Sequence, residues 1–215
     1  MTEGGVESGR ASCFFRKMSN VQTLSIHSVF LKPMKTNGPW KIKDSQVKYK
    51  NPWISVREDQ VIRPDGKDGI FGVVEMVAGV SVLPLDDEGF VYLTKEFHYA
   101  IEQDSVEVIS GAIDEDETEL EAAKRELKEE LGIEADEWID LGKLNPFTTV
   151  VKSPATMYLA RGIKLLEANP EGTEKIDLVK VTFDDAVRMV MESKITHGQS
   201  CVLILKASEY LRRRM

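Results

Sequence analysis

Gly111-Ala112-Ile113-Asp114-Glu115-Asp116-Glu117-Thr118-Glu119-Leu120-Glu121-Ala122-Ala123-Lys124-Arg125-Glu126-Leu127-Lys128-Glu129-Glu130-Leu131-Gly132-Ile133 is the most informative stretch of the chain. Nine carboxylates stand in it against three cations, Lys124, Arg125 and Lys128. From Thr118 to Leu131 the apolar residues Leu120, Ala123, Leu127 and Leu131 recur at three- and four-residue steps, which predicts a helix with one buried face. Gly132 follows as the residue that most cheaply adopts the left-handed conformation closing a helix. On that helix Glu126 and Glu130 share a face, and Glu129 lies one turn from Glu126. Like charges so spaced repel by about a few tenths of a kcal/mol per pair. A hard divalent cation reverses that repulsion, and a donor set made only of oxygens is what Mg²⁺ or Mn²⁺ prefers. Arg125 offers a rigid fork of donors to hold a carboxylate in place. A solvated acidic face is the alternative reading of the same composition.

Outward from this helix the period changes to two. Toward the N-terminus, Ser45–Lys50, Trp53–Arg63, Ile70–Val77, Gly79–Leu85, Phe90–Tyr99 and Ser105–Ile109 read as strands. Pro64-Asp65-Gly66 is a turn by chemistry, and Asp86-Asp87-Glu88-Gly89 reads as a hairpin loop. Beyond the helix, strands are expected at Trp138–Lys143, Ala155–Lys164 and Ile176–Thr182. A helix capped by Asp184 or Asp185 then runs through Ser193, and a last one covers Gln199–Arg213. This order predicts an α/β protein in which a mixed sheet lies between helices, an α/β/α sandwich. Residues 1–37 read as a poorly defined leader, 38–76 as a β-rich extension and 77–215 as the main domain.

Composition narrows the function. The 215 residues carry a net charge of −8, which disfavours a protein that grips long nucleic acid. Hydrophobic residues make up 42%, enough for a sizeable core. Cys13 and Cys201 form neither a disulfide framework nor a metal knuckle, so a reducing cytoplasmic setting is the expectation. The longest apolar run, Met76–Leu85, is too short to span a bilayer, and the N-terminus lacks a secretory pattern.

Gly111, Glu117, Arg125-Glu126-Leu127, Glu129-Glu130 and Gly132-Ile133 stand at every defining position of the Nudix box, so the chain resembles the Nudix hydrolases. The wider chain is similar to the branch that hydrolyses ADP-ribose and nucleotide sugars. Lys95-Glu96-Phe97-His98-Tyr99 resembles its Q-F-R-Y segment and Val106-Glu107-Val108-Ile109-Ser110-Gly111 its E-L-P-A-G segment. The resemblance implies a loop–helix–loop that binds Mg²⁺ or Mn²⁺ and positions a diphosphate. It assigns metal ligation to Glu126, Glu129, Glu130 and the Ser110 carbonyl, with Arg125 and Glu117 orienting the carboxylates. Glu174 is implied as base or extra ligand, with Glu171 its competitor. Trp40 and Trp53 are implied as stacking partners for the base, and as strand residues they read equally as packing. His98 stands where an Arg usually contacts phosphate, and Phe147–Thr156 lacks the Gly and acidic residue customary there. The implied reaction is hydrolysis of a nucleoside diphosphate derivative to a nucleoside monophosphate and a phosphorylated partner, in a homodimer formed through the N-terminal extension. The alternatives are NADH, dinucleoside polyphosphates or capped RNA as substrate, or a nucleotide-binding regulatory module.

Overall fold

The computed structural model describes residues 34–166 and 176–214. Glu171 and Glu174 lie outside them. The described strands fall into three sheets. The first runs β1 (Lys35–Asn37), β2 (Trp40–Lys50), β3 (Ile54–Ile62), β4 (Asp68–Met76) and β10 (Val151–Lys152). The second runs β8 (Ile109–Ala112), β5 (Gly79–Pro84), β11 (Ala155–Leu165) and β9 (Ile133–Leu144). The third runs β12 (Asp177–Thr182), β6 (Phe90–His98) and β7 (Gln103–Glu107). Helices are α1 (Glu119–Leu131), α2 (Phe183–Met191) and α3 (Gly198–Arg212).

Alternation along β5 and β11 makes the layers. Val80 and Val82, with Tyr158 and Ala160, pack with Ala122, Ala123 and Leu127 of α1. Leu83, with Met157 and Leu159, packs with Ala186 of α2 and Leu203, Ile204 and Ala207 of α3. Successive strand residues point to opposite faces, so β5 and β11, buried on both sides, join two separate cores. The second sheet is mixed, since β11 runs parallel to β5 and antiparallel to β9. The α/β/α sandwich expected from the sequence is therefore present.

Several local expectations are corrected. Residues 35–37, assigned to the leader, form β1 and pair with Trp40–Ile42. The turn at Asp86–Gly89 exists, with Gly89 at φ 86°, but it does not close a hairpin. Leu85 and Val91 form an isolated antiparallel bridge across it, the Asp86 N–H donates to the Phe90 carbonyl at 2.9 Å, and β5 and β6 then enter different sheets. The single strand expected at Ser105–Ile109 is two strands, because the chain passes from the third sheet to the second at Val108. The cap of α2 is Thr182, whose Oγ accepts the Asp185 N–H at 3.1 Å. Asp184 and Asp185 occupy the first turn instead, where a carboxylate favours the positive end of the helix dipole.

Candidate active site

α1 is set at both ends by its own sequence. Thr118 caps it and Glu121 reaches back to the Thr118 N–H at 2.9 Å, a reciprocal capping box. Gly132 closes it at φ 60°, and its N–H donates to the carbonyls of Leu127 and Lys128. Packing of Ala122, Ala123 and Leu127 against β5 leaves Glu126, Glu129 and Glu130 lining one cleft with Ser110, Gly111 and Ala112 of β8.

Arg125 organises this acidic row. Its Nε and Nη2 donate to the two Glu117 oxygens at 3.0 and 2.9 Å, a bidentate pair. Nη2 also donates to the Ala112 carbonyl at 2.9 Å. Nη1 donates to Glu126 at 2.8 Å and Glu129 at 3.2 Å. The guanidinium is held far above its ordinary pKa, first by the Glu117 hydrogen bond, against the opposing effect of burial. Arg125 in turn holds the Glu117 carboxyl below the usual range. One cation thus fixes one carboxylate fully and steadies two more.

The acidic row opens on a cleft of about 290 Å³ lined by Glu126, Glu129 and Glu130 of α1, Ser110 and Gly111 of β8, and Trp53. Glu126 lies so close to the Gly111 backbone that a β-carbon there would collide with its carboxylate. A second hollow, about 230 Å³, continues the cleft past Trp53, Ser110 and Gly111 to Met76, Val77 and Gln199. Trp53 is 69% exposed and borders both halves. The cleft therefore has a carboxylate half and a largely apolar half with an indole between them.

Four of the α1 residues singled out in the sequence, Arg125, Glu126, Glu129 and Glu130, meet here with Ser110 and Trp53. Trp40 does not join them within the chain. It packs edge-on against Phe71, ring centroids 5.4 Å apart, and lines a separate hollow with Asp59 and Val61. His98 lies outside the cleft lining, its Nε2 3.0 Å from Glu107 Oε1. The other oxygen of Glu107 lies 2.8 Å from His197 Nδ1. Burial pushes the Glu107 carboxyl up, but hydrogen bonds from His197 and Ser105 outweigh it and hold the group below its ordinary value. This pairing of residues from β6, β7 and the start of α3 is invisible in the sequence, where His197 has no partner at any recognisable spacing.

The donor set suits a hard cation: three side-chain carboxylates and backbone oxygens, with no sulfur or imidazole. Among the described residues, however, no three acidic, His or Cys side chains converge closely enough to ligate one ion. Arg125 hydrogen-bonds one oxygen each of Glu126 and Glu129 and so orients both carboxylates beside the cleft.

A family model described as the NUDIX domain matches residues 76–196, more than half of the chain. The chain belongs to this family and is a Nudix hydrolase. A further model, the nucleoside diphosphate sugar hydrolase N-terminal domain, matches residues 40–74. The chain is 28% identical over 159 residues to an ADP-ribose pyrophosphatase of Bacillus subtilis, covering 70% of this chain and 83% of that one. It is 24% identical over 168 residues to a methanol dehydrogenase activator of Bacillus methanolicus, covering 76% and 89%. A crystal structure of an ADP compounds hydrolase superposes with TM-score 0.73 at 17% identity, over 85% of this chain and 98% of that chain.

Proposed function

We propose that the chain hydrolyses the diphosphate link of a nucleoside diphosphate derivative, ADP-ribose or a nucleotide sugar, to a nucleoside monophosphate and a phosphorylated partner. The observation that carries this reading is the row of Glu126, Glu129 and Glu130 facing Gly111 and Trp53 across one cleft. The similarity to the ADP-ribose pyrophosphatase of Bacillus subtilis supports the substrate class. Trp53 offers a flat face on which a base or sugar ring stacks, which leaves the diphosphate over the carboxylates. Glu126, Glu129 and Glu130, with the Ser110 carbonyl, would hold Mg²⁺ or Mn²⁺. Such an ion supplies charge neutralisation at phosphate oxygens and lowers the pKa of bound water.

The remaining chemistry falls to the chain. A water oxygen attacks one phosphorus, the P–O bond of the bridge breaks, and the bridging oxygen departs with the other phosphate. A carboxylate takes the proton from the attacking water. We read this base as Glu129, which lines the cleft, or as Glu174 or Glu171, which lie outside the described residues. Arg125 acts as a positioning residue, because it contacts Glu117, Glu126 and Glu129 together. Trp40 enters this reading as a substrate contact only from a homodimer. Exposed Val47, Tyr49 and Ile70 on β2 and β4 support pairing of copies through the first sheet. A cytoplasmic setting accords with two widely separated cysteines, and no helix among the described residues is long and apolar enough to cross a membrane.

The test is turnover of ADP-ribose and a panel of nucleotide sugars with Mg²⁺, with products identified. The double variant Glu129→Gln, Glu130→Gln is expected to lose turnover by at least about two orders of magnitude while keeping its circular dichroism spectrum. Undiminished turnover in that variant would reject the assignment.

A further inference from the structure

We propose that the chain has a second ligand site, at the opposite end of α3 from the cleft, which takes a small oxyanion carried on an aromatic or apolar body. α3 begins at the cleft, where Gln199 lines the apolar half. Its last turn, with Tyr210 and Arg212, walls a different cavity of about 540 Å³. From Gln199 to Arg212 the helix rises about 20 Å, so the two places are well separated.

Arg161 carries the inference. It continues the face of β11 that buries Met157 and Leu159, and at the edge of that core it lines the cavity. Among the described residues its Nε is the buried side-chain nitrogen or oxygen without a hydrogen-bond partner. Buried polar atoms are nearly always satisfied, and one that is not calls for an explanation such as a missing ligand. The neighbouring cations are already engaged. Arg212 donates to Glu209 at 2.8 and 2.9 Å, and Arg214 lies over the Tyr210 ring at 4.5 Å. Arg161 has no such commitment among the described residues.

The cavity chemistry defines the ligand class. A guanidinium fork matches a phosphate or carboxylate through two parallel hydrogen bonds. With Arg212 held by Glu209, Arg161 and Arg214 balance the two acids in the lining, Glu137 and Asp184, so the Arg161 fork rather than net charge selects the anion. Phe183 and Leu211 form apolar wall, which suits a ring or hydrocarbon body rather than a bare ion. This proposal uses none of the cleft residues and stands independently of the proposed reaction.

The test uses the full chain without divalent metal, in chelator, so that the cleft contributes least to anion binding. Phenyl phosphate and benzoate serve as probes, with phenol as the uncharged control, and ¹H–¹⁵N spectra report where each binds. At least one anion is expected to shift the amides of Arg161, Tyr210 and Leu211 and to leave Gly111 in place. The arm that responds distinguishes a phosphate from a carboxylate site. Arg161→Met, which keeps length and removes the donors, is expected to weaken binding by about tenfold or more and to raise the melting temperature in ligand-free buffer. If Arg161→Met does not fold, Arg161→Lys, which keeps the charge and loses the fork, makes the same comparison. Shifts centred on Gly111, phenol binding as tightly as the anions, or unchanged affinity in the variant would each overturn the proposal.

Discussion

Gly111 shows how one missing side chain shapes a site. Its backbone lies against the Glu126 side chain so closely that a β-carbon would displace the carboxylate. The obstruction is the end of a flexible side chain, so the fold can yield at small cost. The carboxylate cannot both yield and stay between Arg125 and the cleft. Gly111→Ala is therefore expected to keep a melting temperature close to the parent and to lose turnover by about 10–100-fold, the range seen when groups that orient metal ligands are disturbed. Steady-state kinetics beside a thermal melt checks this. Full activity would mean that the Glu126 position does not matter to the reaction. Much at this scale was legible in advance, because Glu126, Glu129, Glu130 and Arg125 sit on one helix whose period is plain. The resemblance already set Arg125 with Glu117 as groups that orient the carboxylates, and what the sequence could not convey is the further tie of Arg125 to the Ala112 carbonyl. Nor could it convey that Trp53, more than fifty residues earlier, arrives at the same cleft while Trp40 goes to Phe71. Those facts belong to tertiary contact, which leaves no local pattern.

At the scale of elements, α1 is the best specified piece of the chain. Its apolar period, capping box and left-handed Gly132 agree with one another, and the helix forms over the residues they indicate. Thr118→Ala removes the hydroxyl that accepts the Glu121 N–H at 3.3 Å. The expected loss is about 1 kcal/mol, or about 2–4 °C in melting temperature for a chain of this size. A calorimetric scan reads this directly, and an unchanged midpoint would mean that packing alone holds the N-terminal turn. Elements set by distant partners were less legible. β10 is two residues, Val151 and Lys152, made a strand only by parallel pairing with Val74 and Glu75. The break between β7 and β8 has no turn residues, because Val108 is held by the Ser200 hydroxyl across the chain at 3.0 Å rather than by turn chemistry.

Over the whole molecule, the same junction joins the third sheet to the second and to the start of α3. Glu107 is 9% exposed, and its carboxylate bridges His98 at the end of β6 and His197 at the cap of α3. Ser200 Oγ accepts the Val108 N–H, and Ser81 Oγ donates to Gln199 at 2.7 Å, so α3 is fastened beside the cleft by three polar links. A buried carboxylate with these partners contributes on the order of 1.5–3 kcal/mol. Burial alone would raise its pKa. The hydrogen bonds from His197 and Ser105 and the nearby imidazoles prevail, so the folded value lies below the ordinary 4.5. A depressed carboxylate pKa stabilises the fold fully above the unfolded value, and that stability is lost as pH falls through the folded value. The urea midpoint of the parent should therefore exceed that of Glu107→Gln clearly at about pH 6–7, and the gap should narrow progressively below about pH 4.5. A gap that stays constant across this range would show that the ionised form of Glu107 contributes nothing to fastening α3. The junction would then rest on Ser81, Ser200 and the apolar contacts of Leu203 and Ile204, which do not titrate.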